Sequence, residues 1–126
     1  MRVNYSTGAT WEDIVGYCRA VQIGNTIEIS GTVASDGSEA VAKGDFYGQT
    51  RYIIEKIEGV LKQAGFDLKD VVRTRIYVTD ISNWEAVGKA HGEFFKNIKP
   101  VTSMVEVSAL IAPDYLVEIE ATAVKV

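Results

Sequence analysis

Alternation of apolar and polar residues is cleanest in Thr26-Ile27-Glu28-Ile29-Ser30-Gly31-Thr32-Val33. On an extended chain Ile27, Ile29 and Val33 share one side, and Glu28, Ser30 and Thr32 share the other. Residues 17–23 read as a strand before it, and Gly24-Asn25 between the two is a hairpin signal. The period then becomes helical through Ile53, Ile54, Ile57, Val60, Leu61 and Ala64. Asp45 suits the N-cap of that helix and Gly65 its end. Residues 71–79 form the next strand. Ser82 and Glu85 have capping-box spacing ahead of a helix with Trp84, Val87, His91, Phe94 and Phe95 on one face. After Pro100, strands over 102–109 and 115–125 are joined by a turn around Ala112-Pro113-Asp114. The predicted order is β-β-α-β-α-β-β, an α+β fold with two helices packed on one face of a mixed sheet. At 126 residues, the chain reads as a single domain, 1–126.

The strand patterns leave one sheet face apolar, ready for the helices. The other is expected to mix Arg73, Arg75, Glu106, Glu118 and Glu120 with Leu116, Val124, Tyr77 and Met104. A solvated antiparallel sheet tolerates such a face. A face carrying both charge signs and apolar groups also suits a second copy of the chain.

Composition narrows the function. Hydrophobic residues are 47% and charged residues 24%, a globular balance. No apolar run approaches the roughly 20 residues of a membrane span, and Met1–Glu12 has no signal-peptide core. A cytoplasmic protein is the expectation, with Cys18 as its only cysteine and no internal disulfide. The net charge of −4 and scattered basic residues argue against a nucleic-acid partner. With His91 the only histidine, no metal-ligand spacing exists and no cofactor motif is present. Cys18, beside Tyr17 in a strand, is expected to turn to the opposite face as a small buried group. Arg19 shares a strand face with Tyr17 and reads either as an ion-pair partner at an interface or as a cation for a cleft. His91 reads as a partly buried ring bonded to a carbonyl or as an acid–base group. Trp11 reads as a packing anchor or a cleft-mouth residue.

Several segments, in order and spacing, resemble the RidA (YjgF) family from Gly16 to Val124. They are Gly16-Tyr17-Cys18-Arg19-Ala20-Val21, Gly24-Asn25-Thr26, Ile29-Ser30-Gly31, Gln49-Thr50-Arg51, Asp70-Val71-Val72-Arg73-Thr74 and Tyr77-Val78-Thr79-Asp80. Pro100-Val101-Thr102-Ser103-Met104-Val105-Glu106-Val107 and Val117-Glu118-Ile119-Glu120-Ala121-Thr122-Ala123-Val124 complete the set. The resemblance implies a chorismate-mutase-like fold and a homotrimer with small-molecule clefts between subunits. For the RidA subgroup it also implies hydrolysis of enamines and imines made by pyridoxal-phosphate enzymes. That subgroup reads Pro-x-Arg-Ser-x-Val-x-Val near its C-terminus, where the arginine clamps the substrate carboxylate. This chain has Thr102 at that position and Met104 where a cysteine is common. Gly88 replaces an asparagine and Gly16 a proline.

The resemblance places Tyr17, Ser30 and Glu118 among the pocket residues, with Glu118 positioning or activating water. Glu118 is the expected catalytic residue; Tyr17, Arg19, Ser30, Thr102 and Met104 are the expected ligand-binding ones, some of them across a subunit boundary. Two functions fit: a hydrolase of altered specificity acting on a small molecule, and a binding protein that holds a small metabolite without turnover. An endoribonuclease fits less well, because RNA cleavage by acid–base chemistry needs two such groups and the chain offers one histidine.

Overall fold

A computed structural model describes residues 1–126. Six strands form one mixed sheet in the order β1-β2-β3-β6-β4-β5. They are β1 (Arg2–Tyr5), β2 (Ala20–Ile23), β3 (Thr26–Val33), β4 (Val71–Val78), β5 (Val101–Glu106) and β6 (Val117–Val124). Three α-helices, α1 (Thr10–Val15), α2 (Phe46–Gln63) and α3 (Trp84–Phe95), complete the chain. The two longer helices lie side by side on one sheet face, as the period predicts. The sequence pattern does not reveal β1 and α1. Their period is masked by polar residues, and β1 is a short edge strand paired only with β2.

Strand β6 sits at the centre, antiparallel to β3 and β4, while β5 is an edge strand parallel to β4. Val117, Ile119, Ala121 and Ala123 of β6 are fully or almost fully buried under the helices. They meet Ile53, Ile54, Ile57 and Leu61 of α2 in one core. Asp45 caps α2, accepting the Gly48 N–H at 2.9 Å, and Gly65 ends it at φ 83°. Gly65 supplies the left-handed turn that closes a helix at little steric cost.

Two bulges overturn the predicted alternation. Between Ile29 and Thr32, β3 carries one more residue than β6, so Thr32 turns inward opposite Ile119. The buried Thr32 hydroxyl donates to Ser30 O at 2.9 Å. A second shift between Val71 and Arg73 buries Val71 and exposes Val72, where unbroken alternation puts Val72 with Thr74, Ile76 and Val78 on the apolar face and Val71 with Arg73 and Arg75 on the other. An inserted residue flips every later side chain to the other face.

The start of α3 also differs. Asp80, rather than Ser82, caps the segment, accepting Ser82 N–H at 3.0 Å and the Ser82 hydroxyl at 2.7 Å. A 3-10 turn over Ile81–Asn83 then shifts the helix start to Trp84, which is 56% exposed rather than on the core face. Trp11 on α1 is 65% exposed and lies outside the core.

Candidate functional site

The site begins where the chain enters β2. Gly16 ends α1 at φ 88°, and residues 17–19 are not strand. The predicted alternation therefore fails here, and Tyr17 and Cys18 line the same open cleft of about 450 Å³. Ser30 and Asp13 also line it. Arg19 and Glu118 are not part of its wall. Backbone bonds hold this entry segment to two strands: Arg19 N–H donates to Tyr5 O at 2.8 Å, and Arg19 O accepts from Ser30 N–H at 3.0 Å. The Ser30 hydroxyl donates to Cys18 O at 2.7 Å.

Glu12, inconspicuous in the sequence, fixes the preceding loop. Its buried carboxylate accepts the Ser6 hydroxyl at 2.6 Å and the Thr7 hydroxyl at 2.5 Å. Those two bonds hold its protonation below the ordinary glutamate range. Ser6-Thr7 followed by a carboxylate was the available signal, although many surface loops share it.

The β3 bulge does the next piece of positioning. Glu118 pairs with Val33 on one side and Tyr77 on the other. Its carboxylate lies over the backbone of Gly31, so closely that a Cβ there would overlap it. A larger residue at this position would force the Glu118 side chain to shift. The Arg19 guanidinium donates through Nη2 to Gly31 O at 2.8 Å, and its buried Nε–H has no partner. Glu118, Gly31 and Arg19 thus form one cluster.

Burial pushes the Glu118 carboxyl toward its protonated form. Repulsion from Glu120 adds to this, and Arg19 partly opposes it. A half-buried carboxylate with raised proton affinity is the state a general acid–base group needs near neutrality. Folding holds this proton more tightly than the unfolded chain does. Stability is therefore lost as pH rises from the ordinary carboxylate range through the raised folded value. Glu118→Gln should raise the urea midpoint at neutral pH and leave it unchanged in acid, where Glu118 is already protonated. An equal gain at both pH values would trace the effect to packing instead.

Thr102 and Met104 lie elsewhere. In the parallel β4–β5 pair, Thr102 is opposite Thr74 and Met104 opposite Ile76, so both point to the helix face. Met104 packs against the core. Thr102 accepts the hydroxyl of buried Thr74 at 2.7 Å, and Thr74 Oγ1 is 2.9 Å from His91 Nε2. The half-buried His91 ring stacks on Phe95, with centroids 4.6 Å apart, and burial keeps it toward its neutral form. The partner of His91 is thus a threonine hydroxyl and not the expected carbonyl.

The expected mixed face changes accordingly. Met104 and Leu116 pack on the core, and Glu106 accepts Ile81 N–H at 2.9 Å. Tyr77, Arg75 and Glu120 remain together on the open face, joined by Tyr77 Oη to Glu120 at 3.3 Å and an Arg75–Glu120 pair at 3.7 Å.

One chain therefore carries two separate groups of candidate residues. Tyr17, Arg19, Ser30 and Glu118 gather around the β2–β3 entry and the β3 bulge. Thr102 and Met104 sit across the sheet, beside α3. Exposed apolar groups border both: Ile14, Val15 and Tyr17 near the first, and Val101 and Val105 on the β5 edge near the second.

The family model described as Endoribonuclease L-PSP matches residues 7–125. A RutC family protein of Pyrococcus horikoshii is 36% identical over 110 residues, covering 86% of each chain. The 3-aminoacrylate deaminase RutC of Acinetobacter baylyi is 33% identical over 108 residues, covering 85% of each. The crystal structure of Rv2704 from Mycobacterium tuberculosis, a member of the YjgF/YER057c/UK114 family, superposes with a TM-score of 0.89. It is 52% identical, and the match covers 99% of this chain and 100% of that one.

Proposed function

Since the chain belongs to the endoribonuclease L-PSP (RidA/YjgF) family, we propose that it is a homotrimeric hydrolase of a small molecule, with clefts completed between subunits. The observation that carries this is the separation of the two residue groups by the sheet. In one chain they cannot reach a common ligand. A neighbouring copy that sets its β5 edge beside the Tyr17–Glu118 group would bring them together, and would cover the exposed apolar groups at both margins.

In this reading Glu118 takes a proton from the attacking water, and its raised proton affinity suits that role. Tyr17 and Ser30 line the approach. Arg19 holds an unused, buried donor and supplies positive charge to the same cluster. The substrate differs from that of the Acinetobacter relative, a deaminase of 3-aminoacrylate by name. The RidA motif meets a substrate carboxylate with arginine. Thr102 offers neither the charge nor the two-pronged donor. A neutral or larger molecule fits better.

Two measurements test the proposal. Light scattering at micromolar concentration should return the mass of three chains; a monomer would overturn the shared cleft. Product formation with a panel of imines, enamines and amide-like molecules should identify a substrate whose turnover Glu118→Gln abolishes while binding persists. A ligand held without turnover by the unmodified protein would make it a binding protein instead.

A further inference from the structure

The polar chain between α3 and the β5 edge is the least expected feature of the helix face. Thr74 is 1% exposed on the sheet face that packs the core, where neighbouring Ile76 and Val78 are apolar. Its hydroxyl has one proton and lies between two partners, His91 Nε2 at 2.9 Å and Thr102 Oγ1 at 2.7 Å. A buried hydroxyl between two acceptor-capable atoms can donate to only one of them. The direction of that single bond fixes the directions of the others.

When Thr74 donates to Thr102, His91 Nε2 must carry a proton and donate to Thr74. Thr102 then has its own proton free to donate outward. When Thr74 donates to His91 Nε2, the ring proton sits on Nδ1, Thr102 donates to Thr74, and Thr102 presents lone pairs outward. Thr102 is exposed, so the result is read at the surface of the β5 edge.

We propose that His91, Thr74 and Thr102 form a proton relay in which the His91 tautomer sets the hydrogen-bonding polarity of Thr102 toward a ligand. The group it meets is a neutral carbonyl oxygen of an amide or carbamoyl type. This rests on the reading of a ligand cleft beside Thr102, and it gives that cleft a substrate class. In the state with Thr74 donating to Thr102, Thr102 offers one donor and no charge. A carbonyl oxygen accepts that proton. A carboxylate would leave its second oxygen and its charge unmet. In a hydrolysis, Thr102 keeps its hydrogen bond on the carbonyl oxygen as negative charge develops there, and the proton that Glu118 takes from water passes to the departing nitrogen. Thr74 and His91 act through Thr102 and are positioning residues.

His91 is the only histidine, so nitrogen NMR of labelled protein reads its ring without assignment. The unmodified protein should show neutral His91 with its proton on Nε2. In Thr102→Val, Thr74 loses its outward acceptor and donates to the ring, moving the His91 proton to Nδ1. Thr102→Ser should keep the original tautomer. No change of tautomer in Thr102→Val, with the fold retained, would overturn the relay. The second arm titrates acetamide and acetate at equal concentrations while the same signals are followed. Acetamide should shift them in the unmodified protein and in Thr102→Ser, and not in Thr102→Val. A response to acetate instead would overturn the neutral-carbonyl class. The tautomer arm requires neither ligand nor turnover, so the relay and the hydrolase reading can fail separately.

Discussion

Supplied with 2-aminoacrylate from a pyridoxal-phosphate dehydratase, this protein should leave its hydrolysis close to the uncatalysed rate. Without a charged, two-pronged clamp on the substrate carboxylate, a desolvated site forgoes about 3–5 kcal/mol of stabilisation. That corresponds to roughly a thousandfold in rate. A coupled assay beside an arginine-bearing relative measures it. Turnover within tenfold of that relative would mean that another cation, with Arg19 the first candidate, replaces the clamp.

Replacing Gln49 by Leu should be among the most damaging single changes to the fold. The Gln49 side chain is fully buried on α2. Its Oε1 accepts Leu116 N–H at 2.9 Å, and its Nε2 donates to Asp114 O at 2.8 Å. These two bonds hold the turn that leads into β6, the central strand. Leucine would fill the space and leave two part-buried backbone groups without these partners, at about 1–3 kcal/mol each. A fall in stability of roughly 2–5 kcal/mol is expected. Urea unfolding at fixed protein concentration measures it. A loss under 1 kcal/mol would show that the two backbone groups find other partners.

Where the sequence is readable, the physics is local. The apolar stripe of α2, its Asp45 cap and the Gly65 stop depend only on residues within a few turns. The alternation of β6 is clean because that strand is regular and central. Pattern and structure part where one residue changes the register. Neither bulge has a signature beyond Gly31, so alternation puts Thr32 and Val72 each on the wrong face. It puts Trp84 on the core face because Ser82-Asn83-Trp84-Glu85 satisfies the capping-box pattern. Asp80 makes a better cap two residues earlier, and the 3-10 turn rotates the helix.

The candidate site is legible as residue types and not as a place. Tyr17, Ser30 and Glu118 come from motif resemblance, and Arg19 from an alternation that the structure does not keep. Arg19 still reaches the Glu118 cluster, through the Gly31 carbonyl. Thr102 and Met104 share a face at spacing two, as expected. That face is the helix side, since parallel pairing with β4 aligns them with Thr74 and Ile76. A parallel edge strand cannot be told from a hairpin partner by periodicity. The His91–Thr74–Thr102 chain leaves one visible trace: His91 and Thr74 are polar residues on faces that otherwise read as core.

The central claim is that the two groups meet across a boundary between copies. The direct measurement is crosslinking with a short bis-maleimide in a Cys18→Ser background. One population carries Tyr17→Cys and the other Thr102→Cys. Within one chain these positions belong to groups on opposite sides of the sheet, so any link between them joins two copies. Mixed after refolding together, the two variants should give linked dimers that neither variant gives alone. Monomers only, from a mixture whose light-scattering mass is that of a trimer, would contradict the shared cleft.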